Sequence, residues 1–266
     1  MPIDLILIAA AVGVVAGVVS GLFGVGGGTV LVPLFLVLFV GTDIPIDYIM
    51  HFAVGSAFVA VLGNSLMSGR QHFKRGAVSF DVIHWAAPSL FVGVIAGAWI
   101  AAVVSSQTLV YLFSGFMLFT AFRMWKKVPA SKEAPRLSVS PFRVAVATAM
   151  GGVSAFFGIG GGALMVPWFN SIGLSAHSSV GTSGALGAAV ALGGVLGFWV
   201  FGSMPAVTVD YATGFIYWPM AIPVLISSSI AVKYGVSLAH KMSPLILKRL
   251  FSAYLVLVAG TLVGVF

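Results

Sequence analysis

Residues 21–35 read GLFGVGGGTVLVPLF and residues 155–169 read AFFGIGGGALMVPWF. Each carries a glycine cluster, Gly24-Val25-Gly26-Gly27-Gly28 and Gly158-Ile159-Gly160-Gly161-Gly162, between two apolar runs. The run after each cluster, 29–40 and 163–175, is shorter than the roughly 20 residues a spanning helix needs. Glycine permits the positive-φ turns and close backbone approach that a break inside a membrane demands. Such a stretch, present twice, predicts a chain built from two related halves, each opening with a helical hairpin bent at its glycines.

Two further matches carry the duplication along the chain. His51-Phe52-Ala53-Val54-Gly55-Ser56 aligns with His177-Ser178-Ser179-Val180-Gly181-Thr182, and Leu112-Phe113-Ser114-Gly115-Phe116 with Leu250-Phe251-Ser252-Ala253-Tyr254. The three offsets are 134, 126 and 138, in one order, so the loops differ in length while the order of elements is kept. Repeat one is assigned to 1–125, a polar linker to 126–141 (KKVPASKEAPRLSVSP), and repeat two to 142–266.

Composition places both halves in a bilayer. Of the 266 residues 60% are hydrophobic and 7% charged, with mean hydropathy +1.13. A soluble domain carries about 25% charged residues, so ordinary soluble enzymes and nucleic-acid binders are excluded. The apolar runs are continuous rather than alternating, as in Val82–Val104, which excludes a β-barrel and leaves helices. They fall at about 3–22, 29–40, 48–67, 82–104, 108–125, 142–157, 163–175, 179–201, 214–232 and 245–266. The expected fold is an all-α polytopic membrane protein of two inverted repeats, each a glycine-broken hairpin plus three transmembrane helices. Its N-terminus lacks the basic residues of a cleaved signal peptide. Without cysteine there is no disulfide, thiolate metal site or Cys nucleophile.

The inversion is read from charge. All 13 Lys and Arg fall in three stretches, 70–75, 123–143 and 233–249. By the positive-inside rule these face the cytoplasm. Asp4, Asp43, Asp47 and Asp210 lie in base-free segments that read as outside. In repeat one the loop after the His-containing helix is basic (GRQHFKRG) and the next is uncharged (SSQ); in repeat two the order reverses. The termini are therefore expected outside and the linker in the cytoplasm. The net charge of +7 describes orientation, not a nucleic-acid partner.

No Asp, Glu, Lys or Arg falls at mid-membrane depth, so a cation would find no counter-charge and a carboxylate proton relay has no carboxylate. The helix starting after each break offers free N–H groups and its positive dipole end, a ready anion site. Pro33 and Pro167, five residues past the clusters, are expected near the first turn of the new helix, where a missing N–H is tolerated. Hydroxyls and imidazoles add donors without fixed charge. The candidate substrate-binding residues are Gly26, Gly27, Gly28, His51 and Ser56 in one half, and Gly160, Gly161, Gly162, His177, Thr182 and Ser183 in the other. His51 and His177 are the candidates for proton coupling, Trp168 is a candidate lining residue, and Asn64 and His84 are the remaining polar groups within helices. No cofactor or metal motif is present, and no HExxH or Cys nucleophile supports an enzyme. The expected partners are a small anion (sulfite, a sulfonate or a carboxylate) and the lipid bilayer, with a homodimer allowed.

GxGGGxxxVP in both halves, each copy followed by a Gly-Thr-Ser-like element, resembles the sulfite exporter TauE/SafE family. The elements are Gly24–Pro33 with Gly55-Ser56-Ala57, and Gly158–Pro167 with Gly181-Thr182-Ser183. The resemblance covers nearly the whole chain outside the linker. It implies a bacterial inner-membrane permease, commonly an exporter, for small sulfur-containing anions such as sulfite or organosulfonates. Gly55-Ser56-Ala57 departs from the pattern by one hydroxyl. A non-transporting scaffold or assembly factor, and an anion channel, are the competing readings.

Overall fold

The computed structural model describes residues 3–23, 27–125, 139–203, 208–242 and 244–265. Gly26 and most of the 126–141 linker lie outside them. Among the described residues ten helices follow one another: α1 (Ile3–Phe23), α2 (Gly28–Phe39), α3 (Ile49–Lys74), α4 (Phe80–Val103), α5 (Ser106–Trp125), α6 (Pro141–Phe157), α7 (Gly162–Ser171), α8 (Ala176–Phe201), α9 (Trp218–Lys241) and α10 (Pro244–Val265). By length and hydropathy, the segments 4–22, 46–74, 80–103 and 176–201 can cross a bilayer. Helices α2 and α7 are short, at 12 and 10 residues. The protein is an all-α polytopic membrane protein.

Local sequence explains the helix ends. Gly27 and Gly161 cap α2 and α7 at φ 86° and 82°, a left-handed conformation that costs an L-residue about 1–2 kcal/mol and glycine nothing. Their carbonyls accept the first intrahelical bonds, from Leu31 N–H at 2.8 Å and Met165 N–H at 2.7 Å. Gly158, at φ 60°, ends α6, and the N–H of Ile159 doubles back to the Ser154 carbonyl at 3.3 Å, as in a Schellman stop. Helix α6 begins with Ser140 accepting from Arg143 N–H and Pro141 in the first position.

Three expectations change. Pro33 and Pro167 are the sixth residues of α2 and α7, not first-turn residues, so each removes an internal bond. The freed Thr29 carbonyl accepts from the Tyr254 hydroxyl of α10 at 3.4 Å. The basic stretch Arg70–Lys74, read as a loop, is the last turn of α3, where cations oppose the negative dipole end. Finally, the segment before α9 holds a short β-hairpin, β1 (Ala212–Thr213) with β2 (Ile216–Tyr217), which no alternation in the sequence announces.

Helix pairing has an internal symmetry. Helix α1 lies along α9 and α6 along α4; α3 packs on α9 and α8 on α4; α2 packs on α3 and α7 on α8; α3 packs on α8 and α5 on α10. Exchange of the halves turns each pair into another or into itself. Contacts along α3 and α8 run in opposite directions: Phe58 meets Gly194, Ser65 meets Gly187 and Ser68 meets Gly184, and Ala77, past the end of α3, meets Gly181. The two equivalent helices are antiparallel. Lipid tails give no hydrophobic drive between helices, so close contact depends on small residues. Gly13 and Gly17 of α1 admit the α9 backbone at Val224 and Ser228, and Gly93 and Gly97 of α4 admit α6 at Thr148 and Gly152.

Candidate functional site

The two glycine breaks touch. A side chain on Gly28 would run into the Gly158 carbonyl and come 2.6 Å from the Ile159 Cα. Val32 of α2 and Val54 of α3 cover Gly158 in turn. Next to this contact, a methyl group on Gly27 would lie 2.9 Å from Ser20 Oγ and 3.4 Å from Asn64 Nδ2, and one on Gly187 of α8 would lie 2.7 Å from Ser65 Oγ and 2.9 Å from the Gly160 carbonyl. The breaks thus meet α3 between Val54 and Ser65, midway along the segment 46–74, and meet α8 at Gly187, near the midpoint of 176–201.

Around the contact the buried polar groups are neutral. Among the described residues no Asp, Glu, Lys or Arg is buried; Ser20, Thr29, Asn64, Ser65, Ser154, Thr182, Ser183 and Ser228 are. Thr29 Oγ1, Asn64 Nδ2, Ser154 Oγ and Ser183 Oγ are buried without a protein partner. Thr29 is the second residue of α2, and Ser154 closes α6 just before the second break. Ser183 lies four residues before Gly187, on the same face of α8. The first N–H groups of α2 and α7 lack intrahelical acceptors by geometry. Helix starts and neutral donors suit an anion and offer a cation little.

The sequence-derived residues separate into groups. Gly27, Gly28, Gly160, Gly161 and Gly162 form the two breaks, and Ser183 lies one turn of α8 before Gly187, which meets the Gly160 carbonyl. Gly26 is outside the described residues. Ser56 and Thr182 are fully buried, and each anchors a loop: Ser56 Oγ accepts from Tyr217 N–H at 3.0 Å and Thr182 Oγ1 from Ser79 N–H at 2.9 Å. Beside them Gly55 rests on the Phe215 carbonyl and Gly181 on that of Ala77, so the two loops are held alike. His51 is buried one turn before Val54, with Nε2 at 3.0 and 2.9 Å from the Ala101 and Val104 carbonyls, where it caps the C-terminus of α4. The Phe215 ring from the hairpin lies 4.8 Å from its imidazole, beside Tyr48 and Phe52. His177, by contrast, is exposed at the start of α8, close enough to His72 for their charges to interact. Trp168 packs edge-on against Trp85 at 5.8 Å. The two histidines therefore do not share a site.

Sequence reading set aside Asn64 as a polar residue within a helix and passed over Ser20, Ser65, Ser228 and Ser229. Asn64 Oδ1 accepts from Ser228 and Ser229 of α9 at 3.3 and 3.1 Å, and its Nδ2 faces Gly27. The available signal was the carboxamide within the apolar part of α3, which is expensive to bury without function.

A family model described as Sulfite exporter TauE/SafE matches residues 9–262. A "Probable membrane transporter protein" of Haemophilus influenzae is 28% identical over 256 residues, covering 96% of each chain. One from Methanocaldococcus jannaschii is 28% identical, over 92% of this chain and 90% of its own. A third, from Bacillus subtilis, is 24% identical over 87% and 89%. No solved structure matches. With broken helices meeting midway along two long apolar ones, and a family match over nearly its full length, this chain is a membrane transporter of the sulfite exporter TauE/SafE family.

Proposed function

We propose that the protein is a secondary transporter that exports small sulfur-containing anions, such as sulfite or organosulfonates, across the bacterial inner membrane. The observation that carries this reading is the contact of the two glycine breaks, which brings together two helix starts, with the partnerless Thr29, Asn64 and Ser154 on the adjoining segments and no buried charge among the described residues. Neutral donors hold an anion while leaving it free to depart, and fixed cations there would retain it.

Residues 1–125 and 142–266 form inverted repeats in this proposal, joined by a cytoplasmic linker, with both termini outside. The antiparallel packing of α3 on α8 supports the inversion, since equivalent helices of a parallel duplication would point the same way. Gly27, Gly28, Gly160, Gly161, Gly162 and Ser183 line the site near mid-depth, and Gly26 belongs to the same break by sequence. Ser56, Thr182 and His51 hold the ends of the central helices, and His177 stands with the basic residues at the cytoplasmic mouth. Alternating access moves one repeat-derived unit against the other. Export of a monoanion runs with an inside-negative potential, a gain of about 2.3 kcal/mol per 100 mV.

The test is uptake of labelled sulfite, sulfoacetate and acetate into proteoliposomes holding the purified protein. Saturable flux favouring the sulfur anions is expected. Unitary conductance would make the protein a channel, and absence of flux of any anion from folded protein would favour the scaffold. A reporter fused to the C-terminus is expected outside; a cytoplasmic one, with the linker also cytoplasmic, sinks the inversion.

A further inference from the structure

Asn64 holds the only carboxamide that is buried among the described residues, at 4% exposure. Its two sides are treated differently. The Oδ1 atom accepts hydroxyls of Ser228 and Ser229 from α9, which fixes the plane of the amide. The Nδ2 atom, with two hydrogens to donate, has no protein partner. It is 3.4 Å from where a methyl group on Gly27 would lie, and Ser20 Oγ is 2.9 Å from the same point. An absent side chain at Gly27 therefore leaves the amide beside the start of α2, whose leading N–H groups have no intrahelical acceptor.

The second half offers nothing equivalent. With His51–Ser56 aligned on His177–Thr182, positions 64 and 65 fall on Val190 and Ala191, both fully buried and apolar. Asn64 is thus a donor added to one break only, in a low-dielectric setting where a buried, unpaired amide is costly.

We propose that the Asn64 carboxamide donates to the transported anion, one oxyanion oxygen taking its Nδ2–H and another the backbone N–H groups at the start of α2. The anion is then held on the first half's side of the contact, and Asn64 is a specificity-determining residue that demands at least two acceptor oxygens. This rests on the anion-transport reading above.

Asn64→Asp gives the sharpest test in the proteoliposome assay. It preserves the acceptor for Ser228 and Ser229, so in variant protein that stays folded the brace of α3 against α9 is kept. It replaces the donor with a repelling oxygen, so KM for sulfite is expected to rise by about tenfold or more, the scale of a hydrogen bond to a charged group. Asn64→Ala removes the donor without adding charge and serves where the aspartate variant does not fold; its KM is expected to rise while maximal flux falls much less. Thermal unfolding in detergent checks that each variant is intact. A KM within threefold of wild type, in either folded variant, overturns the assignment of Asn64 while leaving transport standing. Loss of flux in the wild type would instead remove the reading on which it rests.

Discussion

Helices α3 and α8 occupy equivalent places in the two halves, are both 26 residues long and pack against each other antiparallel. At their outer ends they do the same work with the same chemistry. Gly55 and Gly181 let a loop carbonyl approach, and Ser56 and Thr182 accept an N–H from that loop two residues on. Halfway along, the likeness stops. Helix α3 presents Asn64 and Ser65 to the glycine breaks where α8 aligns Val190 and Ala191. The histidines at the starts of the two helices also differ, one capping α4 and the other exposed near His72. Frame contacts tolerate exact repetition because each half builds the same frame. On the proposed function, an anion held between the halves needs no identical donors on both sides, so polar groups there can diverge.

The largest effect that could break this comparison is at the glycines themselves. Gly27→Ala and Gly161→Ala meet the same left-handed penalty of about 1–2 kcal/mol. They differ in what the new methyl group encounters. At Gly161 the crowding atoms belong to the flexible end of Met165, which can swing aside. At Gly27 the methyl group enters the space between Ser20 Oγ, Leu31 Cδ1 and Asn64 Nδ2. Anion flux is expected to fall by more than about tenfold for Gly27→Ala and by only a fewfold for Gly161→Ala, the excess being the obstruction beyond shared strain. Equal losses would show that the breaks contribute alike and that Asn64 does not bias the site.

How much of this was legible in the sequence follows from which interactions are local. Glycine clusters, apolar runs and charge placement are properties of short stretches, so the ten helices and both breaks could be read to within a few residues, except where α3 and α9 run on through their basic ends. The partners of single polar atoms are not local. Ser56 and Thr182 carry the Gly-Thr-Ser-like signature, and nothing in that signature says that their oxygens meet N–H groups 161 and 103 residues away. His51 likewise looks free until the α4 C-terminus is brought 50 residues back to it. Asn64 shows the reverse: one amide in an apolar helix carries little pattern, and its meaning depends on α9 and the first break arriving on opposite sides.

A middle-sized effect separates frame from site. Ser56→Ala and Thr182→Val each remove the acceptor of one half-buried backbone N–H, at a cost of about 0.5–1.5 kcal/mol. Both variants are expected to melt a few degrees below wild type, by similar amounts, with KM for the anion within twofold. A selective rise in KM for either, without a matching loss of stability, would return that hydroxyl to the substrate.

The smallest effect concerns the carbonyls that proline sets free. Pro33 and Pro167 each remove the bond to a carbonyl four residues earlier, that of Thr29 in α2 and of Ala163 in α7. Tyr254 of α10 answers the first with its hydroxyl at 3.4 Å. The aligned residue in α5 is Phe116, which has no hydroxyl and instead stacks on Phe157 at 4.5 Å. Phe116 therefore cannot answer the Ala163 carbonyl as Tyr254 answers that of Thr29. Tyr254→Phe removes one long, neutral hydrogen bond and keeps the ring, so a stability loss of about 0.5–1.5 kcal/mol is expected. Because the bond holds the turn of α2 that carries Thr29, a small fall in anion affinity should accompany it. A variant that melts and transports like wild type would show that the Pro33 break needs no external partner, and would make the two short helices more nearly equal than α3 and α8 are.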